Sequence, residues 1–276
     1  MAVIMKKKNL FLIFSLFSAT LLVLSCRGME RKPAEKETGR PSVLHVAAAA
    51  NLSYVIPELV DAFRNKHSEF AGTGIRVTKA SSGSLTSQIR NGAPYDIFLA
   101  ANTRYPQSLH DDGFTAGPPV VYAGGVPVLV FRQEIEGEKG IACLTDESVE
   151  KIAVAKPDLA PYGEAAIEIL SYAGILKQVE SKFVYGTSVT QTFQHTITAA
   201  DAGFIAASLL YGEGGKELKK AGMGWTGFPD DAYNQAGLRQ AMVLLDSTNR
   251  AAAVFFRFMM SEEAGNILKI KGYRVE

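Results

Sequence analysis

Residues 75–100 read IRVTKASSGSLTSQIRNGAPYDIFLA, and their pattern decides the fold class. Ile75 to Ala80 alternates as a strand, Leu85 to Asn91 follows as a short helix, and Tyr95 to Ala100 is the next strand, set off by Gly92 and Pro94. Strands alternating with helices predict βαβ units and a mainly parallel sheet. The same order stands just upstream. Val43 to Ala49 is an apolar run ending in small residues, and Leu52, Val55, Ile56, Leu59, Val60 and Phe63 then recur at helical spacing as far as Lys66.

Downstream the pattern changes. Val120-Val121-Tyr122 and Val126 to Phe131 are apolar stretches separated by Gly124 and Gly125, read as a hinge turn because neither a helix signal nor a lysine follows as a phosphate-cradling loop requires. A second alternating set comes next: strand at Ile152 to Ala155, helix at Gly163 to Tyr172, strand at Lys182 to Tyr185, helix at Val189 to Thr198, strand at Gly203 to Ala206. Leu238 to Leu245 reads as a strand, and Asn249 to Met260 and Glu262 to Ile270 as amphipathic helices, too few elements for a third domain. They are expected to pack back on the first set. The expectation is an α/β fold of two lobes, residues 42–126 with 229–276 and residues 127–228, joined by two crossing segments that act as a hinge. Trp225, Phe255, Phe256 and Phe258 have strand or helical spacing and read as core.

The amino-terminal end reads differently. Lys6, Lys7 and Lys8 precede an apolar run from Leu10 to Leu24 that stops at Ser25 and Cys26. That order is a secretory signal, residues 1–25, and the run is shorter than the roughly 18 to 20 apolar residues needed to cross a bilayer. Val23-Leu24-Ser25-Cys26 resembles the bacterial lipobox, which implies that Cys26 is lipidated and holds the mature chain at a membrane surface. Residues 26–41 are charged, contain proline and have almost no large apolar side chains, so a flexible tether is expected before a domain that starts near Ser42. Only Cys143 would remain beside the anchor, so stability must come from core burial. Removing residues 1–25 lowers Lys+Arg from 29 to 26 against 28 Asp+Glu, a near-neutral balance that does not point to nucleic acid.

In an open α/β sheet a ligand sits beyond the carboxyl ends of the strands, where the next helices begin. Four such junctions are legible: Ala50-Asn51-Leu52, Ser81-Ser82-Gly83-Ser84, Ala160-Pro161-Tyr162-Gly163 and Thr187-Ser188-Val189. A helix start carries roughly half a positive charge and several unpaired N–H groups, which suits an anion without any cationic side chain. Asn51, Ser82, Ser84 and Ser188 taken singly read more readily as simple caps. Convergence of the four junctions on one cleft is what would make them a site. About six charge-assisted hydrogen bonds of about 1.5 to 3 kcal/mol each would then exceed the lower estimates, from about 4 kcal/mol, of the association cost.

Five stretches, VAAAANLSYVIPELVDAF, KASSGSLTSQIRNGAPYDIFLAAN, AKPDLAPYGEAAIEIL, TSVTQTFQHTITAADAGFIAAS and the closing helices with KGY, resemble the periplasmic molybdate-binding proteins of ABC transporters, in order from Ser42 to Glu276. The resemblance implies a two-lobe periplasmic-binding fold, no cofactor, molybdate or tungstate as ligand and a membrane permease as partner, with the chain a monomer outside the cytoplasm. It also implies a ligand set: Asn51 where the family has a serine, Ser82 unchanged, main-chain donors at Tyr162 and Val189, and Ser81 and Gly83 less firmly. Ala206 falls where the family often has a tyrosine, so one hydroxyl is missing.

Phosphate, sulfate or an organic anion in the same architecture is the alternative ligand. Hydrogen phosphate carries a proton and wants a carboxylate acceptor, and the only acid at the four junctions is Glu164, one residue past Gly163. Catalysis is not expected. There is no G-x-S-x-G, and His45, His67, His110 and His195 have no zinc-ligand spacing, so no side-chain metal site is expected either. His45 and Asp96 read as structural.

Overall fold

The computed structural model describes residues 43–132 and 140–275. The expected signal and tether, with the expected anchor at Cys26, therefore lie outside the described residues. Among the described residues, ten strands make two five-stranded sheets. Strands β1 (Leu44–Ala49), β2 (Ile75–Ala80), β3 (Ile97–Leu99), β4 (Val120–Gly124) and β10 (Arg239–Leu244) form the first, in the order β2-β1-β3-β10-β4. Strands β5 (Pro127–Arg132), β6 (Ile152–Ala155), β7 (Phe183–Gly186), β8 (Ala202–Ala206) and β9 (Met223–Thr226) form the second, in the order β7-β6-β8-β5-β9.

In each sheet three neighbouring strands run parallel, β2-β1-β3 and β7-β6-β8, as the alternating sequence predicts. The strands next to the crossings, β10 and β4 in one sheet and β5 and β9 in the other, join antiparallel. The chain leaves the first sheet through Gly124, Gly125 and Val126 and returns between Thr226 and Arg239. The two crossings touch, because the Gly125 N–H donates to the Leu238 carbonyl at 2.9 Å.

The helices are α1 (Ile56–Lys66), α2 (Ser82–Arg90), α3 (Arg104–Asp111), α4 (Pro161–Tyr172), α5 (Leu176–Val179), α6 (Val189–Ala199), α7 (Glu213–Lys220), α8 (Arg250–Phe258) and α9 (Glu262–Ile270). Among the described residues, no helix is long and apolar enough to cross a membrane. One core packs α1, α8 and α9 on the first sheet around Leu59, Phe63, Phe255 and Leu268. Another fills the second sheet and runs into the interface, where Ala50 and Ala101 join Tyr162, Val189 and Ala206.

Several expectations shift. The first helix begins at Ile56, not Leu52, and the residues ahead of it, Ala50–Leu52, make a single tight turn. Pro57 explains this: it lacks an N–H and its ring collides with the carbonyl four residues back, so it fits only the first turn of a helix. Trp225 is not core. It is 53% exposed on β9, which lies at the edge of the second sheet. Phe255 and Phe258 are buried, and Phe256 is partly so. Asp96 is structural, its carboxylate accepting the His45 N–H at 2.6 Å where β3 joins β1.

Candidate functional site

The four junctions lie at the carboxyl ends of β1, β2, β6 and β7, and hydrogen bonds tie them together across the two sheets. Gly83, in the first turn of α2, donates its N–H to the carbonyl of Leu159 just before α4, at 2.9 Å. Thr190, in the first turn of α6, donates its hydroxyl to the Ala50 carbonyl at 2.8 Å and lies 3.1 Å from the Ser53 hydroxyl. At the rim, the Tyr105 hydroxyl donates to the Asp158 carbonyl at 3.0 Å, and Arg104 pairs with Glu164. The molecule is in a closed arrangement, with the junctions of each lobe facing those of the other.

Each junction offers donors for a physical reason. Ser81 caps α2, its hydroxyl accepting the Ser84 N–H, so the cap is Ser81 and not Ser82. Ser82 is buried, and its Oγ accepts the Ala101 N–H at 3.0 Å. That bond fixes the oxygen as an acceptor and leaves the hydroxyl proton to give. In α4, Pro161 fills the first position, where its missing N–H costs nothing. The Gly163 and Glu164 amides go to the Ala160 carbonyl, and the Tyr162 amide, one of the first four of its helix, has no carbonyl four residues back within it. Ser188 caps α6 by accepting the Gln191 N–H at 3.2 Å, and the Val189 amide, at the first position of that helix, likewise has no carbonyl four residues back within it. Ser84 is bonded to Ser81, 2.7 Å away.

Asn51 does not cap a helix. It lies in the tight turn after β1, 1% exposed, and its side chain makes no cap bond. Instead it enters a buried network that its neighbours in sequence do not reveal. Asn51 Nδ2 donates to Gln240 Oε1 at 2.9 Å and to the Tyr273 hydroxyl at 3.1 Å. The Asn51 carbonyl accepts from the hydroxyls of Tyr273 and Ser208, at 2.9 and 2.8 Å. Gln240 Oε1 also accepts from the Tyr122 hydroxyl at 2.9 Å, and Gln240 Nε2 donates to the Tyr162 hydroxyl at 3.2 Å. Gln240 thus joins a junction of the first lobe to one of the second. Burial raises the pKa of Tyr122 and Tyr162 well above that of a free tyrosine, and that of Tyr273 too, so all three hydroxyls stay protonated at neutral pH.

Ala206 is buried at the end of β8, opposite Pro127, and offers no polar group. The hydroxyl of Ser208, two residues on, reaches the Asn51 carbonyl across the interface, and Tyr122 and Tyr273 add hydroxyls to the same network. Of these, Tyr273 was within the KGY stretch, and Gln240 was visible as an amide inside the apolar run LRQAMVLL. Their convergence was not legible, since 189 residues separate Asn51 from Gln240. None of the junctions contains a lysine or arginine. No group of three His, Cys, Asp or Glu side chains able to hold a metal ion occurs among the described residues.

Two α/β lobes with helix starts facing across a two-strand hinge define the class of periplasmic-type binding proteins, which hold a small solute between their lobes and carry out no reaction on it. The chain belongs to the bacterial extracellular solute-binding protein family, whose model matches residues 44–274. It is 33% identical over 237 residues to the molybdate-binding protein ModA of Rhodobacter capsulatus, covering 83% of this chain and 87% of that one. It is 24% identical over 273 residues, 98% of this chain and 99% of the other, to a Bacillus subtilis protein named as a candidate ABC transporter substrate-binding lipoprotein, YvgL. Among solved structures, the periplasmic molybdate-binding protein of Azotobacter vinelandii superposes with a TM-score of 0.73 at 28% identity, covering 84% of this chain and 99% of that one.

Proposed function

We propose that this chain is the extracytoplasmic binding protein of an ABC importer and captures molybdate or tungstate between its lobes, residues 42–126 with 229–276 on one side and 127–228 on the other. Asn51, the Ser82 hydroxyl and the main-chain amides of Tyr162 and Val189 hold the anion, with the Ser81 and Gly83 turn as support. One observation carries the reading: the junctions present donors, with no cation to compensate and no carboxylate among the bonding groups. A fully ionised tetrahedral dianion wants only donors, whereas hydrogen phosphate needs an acceptor for its proton. Relatives named as molybdate-binding proteins support the same ligand. Sulfate shares the donor-only requirement and remains the alternative, to be separated by its smaller size.

Calorimetry of the purified protein with molybdate, tungstate, sulfate and phosphate tests this. Heat and a submillimolar Kd with the two group-six oxyanions are expected, and silence with both overturns the reading. Ser82→Ala should weaken binding by about 1 to 3 kcal/mol, since it removes a hydrogen bond to a charged group.

Delivery to a membrane permease and attachment through lipid at Cys26 complete the proposal, with the chain a monomer at the outer face of the membrane. The sequence Val23-Leu24-Ser25-Cys26 and the likeness to a protein named as a lipoprotein support the anchor. Mass spectrometry of the membrane-extracted protein should find an acylated amino-terminal Cys26, and an unmodified one would rule the anchor out.

A further inference from the structure

Asn51 and Gln240 sit at the centre of the buried network, and one atom there is left over. Asn51 Oδ1 is buried and has no hydrogen-bond partner among the described residues. Its companion Nδ2 is held by Gln240 and Tyr273. At the other end, the Tyr162 hydroxyl accepts from Gln240 Nε2 and from the Val126 amide, so it receives two protons and passes none along either bond. A buried acceptor without a donor is costly, and beside a bound anion it would also repel the guest.

Turning both side-chain amides by half a turn about their terminal bonds keeps the heavy atoms in place and exchanges every role. Gln240 then gives its two N–H groups to Asn51 Oδ1 and to the Tyr122 hydroxyl. Tyr122 passes its own proton to the Ala100 carbonyl, already 3.1 Å away, and Tyr273 turns its proton from the Asn51 carbonyl, which Ser208 still serves, to Asn51 Oδ1. Tyr162 donates to Gln240 Oε1 while still accepting from Val126. The orphaned acceptor disappears, and the group left over is now the Asn51 amide N–H. One amide cannot turn alone, because two N–H groups or two oxygens would then face each other between Asn51 and Gln240.

We propose that Asn51 and Gln240 form a coupled amide relay with two orientations, and that an anion in the cleft selects the one in which Asn51 turns its NH2 toward the guest. The proposal rests on the reading of the cleft as an oxyanion site. Its consequence is a link between occupancy and closure. The turn that gives the anion a donor from the first lobe also gives the Tyr162 hydroxyl of the second lobe an acceptor on Gln240. Gln240 is a positioning residue here, since it bonds Asn51, Tyr122 and Tyr162 and reaches the anion only through Asn51. Gly125 leaves the room for this: a Cβ there would meet the Tyr162 hydroxyl and lie 2.8 Å from Gln240 Nε2.

Side-chain amide spectra of the 15N-labelled protein, recorded with and without molybdate, test the relay. The Gln240 NH2 signals are expected to move with the same concentration dependence as those of Asn51. Gln240→Glu replaces the amide by a carboxylate that can only accept, which pins the Asn51 NH2 away from the anion. That variant should weaken molybdate at least about tenfold, abolish the Asn51 response, and regain both as the carboxyl is protonated at lower pH. The titratable groups facing position 240 are the hydroxyls of Tyr122 and Tyr162, with Tyr273 beside Asn51. Gln240 signals that stay fixed while those of Asn51 move overturn the relay without any variant, as does a Gln240→Glu protein whose Asn51 signals still respond. If the unaltered protein gives neither heat nor shifts with any oxyanion, the site itself is wrong and the relay falls with it.

Discussion

At the scale of single residues, small size is used where the two lobes meet. Gly83 shows how closely. Its N–H bonds the Leu159 carbonyl, and a Cβ there would lie 2.9 Å from the Tyr105 hydroxyl and 3.1 Å from both Cα and carbonyl oxygen of Leu159. Two of those atoms are main chain, and the Tyr105 hydroxyl is itself bonded to Asp158 across the cleft. Gly83→Ala should therefore hinder closure while leaving the isolated helix no worse, since alanine is the better helix former by up to about 1 kcal/mol. Molybdate affinity is expected to fall about tenfold or more by calorimetry, with the Tm of the unliganded protein unchanged or raised. An unaltered affinity would mean that the lobes need not approach so closely around Gly83. Ser82 and Asn51 were legible as candidates because serine and asparagine at a strand end are donors there or caps. Which of the two roles each plays was not, because a cap bond and a ligand bond use the same atoms.

At the scale of elements, capping separates stability from binding. Ser188 caps α6 beside Val189, and Asn249 caps α8, where its Oδ1 accepts the amides of Ala251 and Ala252. Alanine at either position should cost about 1 kcal/mol of stability, read as a lower Tm. Only Ser188→Ala should also weaken molybdate, because only that cap aligns a main-chain donor of the cleft. Equal affinities for the two variants would remove α6 from the site. The elements with strong apolar periodicity were legible, among them β1, β2, α2, β6, α6 and the closing helices. Helices α3 and α7 were not. Each buries only two residues, Pro106 and Leu109 in α3 and Gly214 and Leu218 in α7, too few to leave a periodic trace. Strand β9 was missed for a related reason: it lies at an edge with Trp225 largely exposed, so its pattern is not that of a buried strand.

At the scale of the whole molecule, the buried tyrosines set the response to pH. Tyr122, Tyr162 and Tyr273 come from three distant parts of the chain, and burial raises their pKa above the ordinary value of about 10. In the unfolded chain they ionise near pH 10. In the folded one they do so only at higher pH. Their contribution to stability is therefore complete below about pH 10 and is lost as pH rises toward the folded values. Thermal unfolding should show a Tm that falls steeply above about pH 10, and a phenylalanine at Tyr122 should soften that fall. Because no side chain in the proposed ligand set titrates near neutrality, molybdate affinity should stay constant from about pH 6 to about pH 9. A strong dependence in that window would point to a titrating group in the cleft.

The sequence by itself determined the α/β class, the pairing of strands with helices and the four donor-rich junctions, because each follows from local periodicity, turn chemistry and the missing N–H of proline. Only the tertiary structure decided that Gly83 meets Leu159, and that Asn51, Gln240, Tyr122, Tyr162, Ser208 and Tyr273 share one buried network. The physical reason is range. Caps and periodicity act over a few residues, whereas a hydrogen bond between Asn51 and Gln240 exists only after two crossings have brought the lobes face to face.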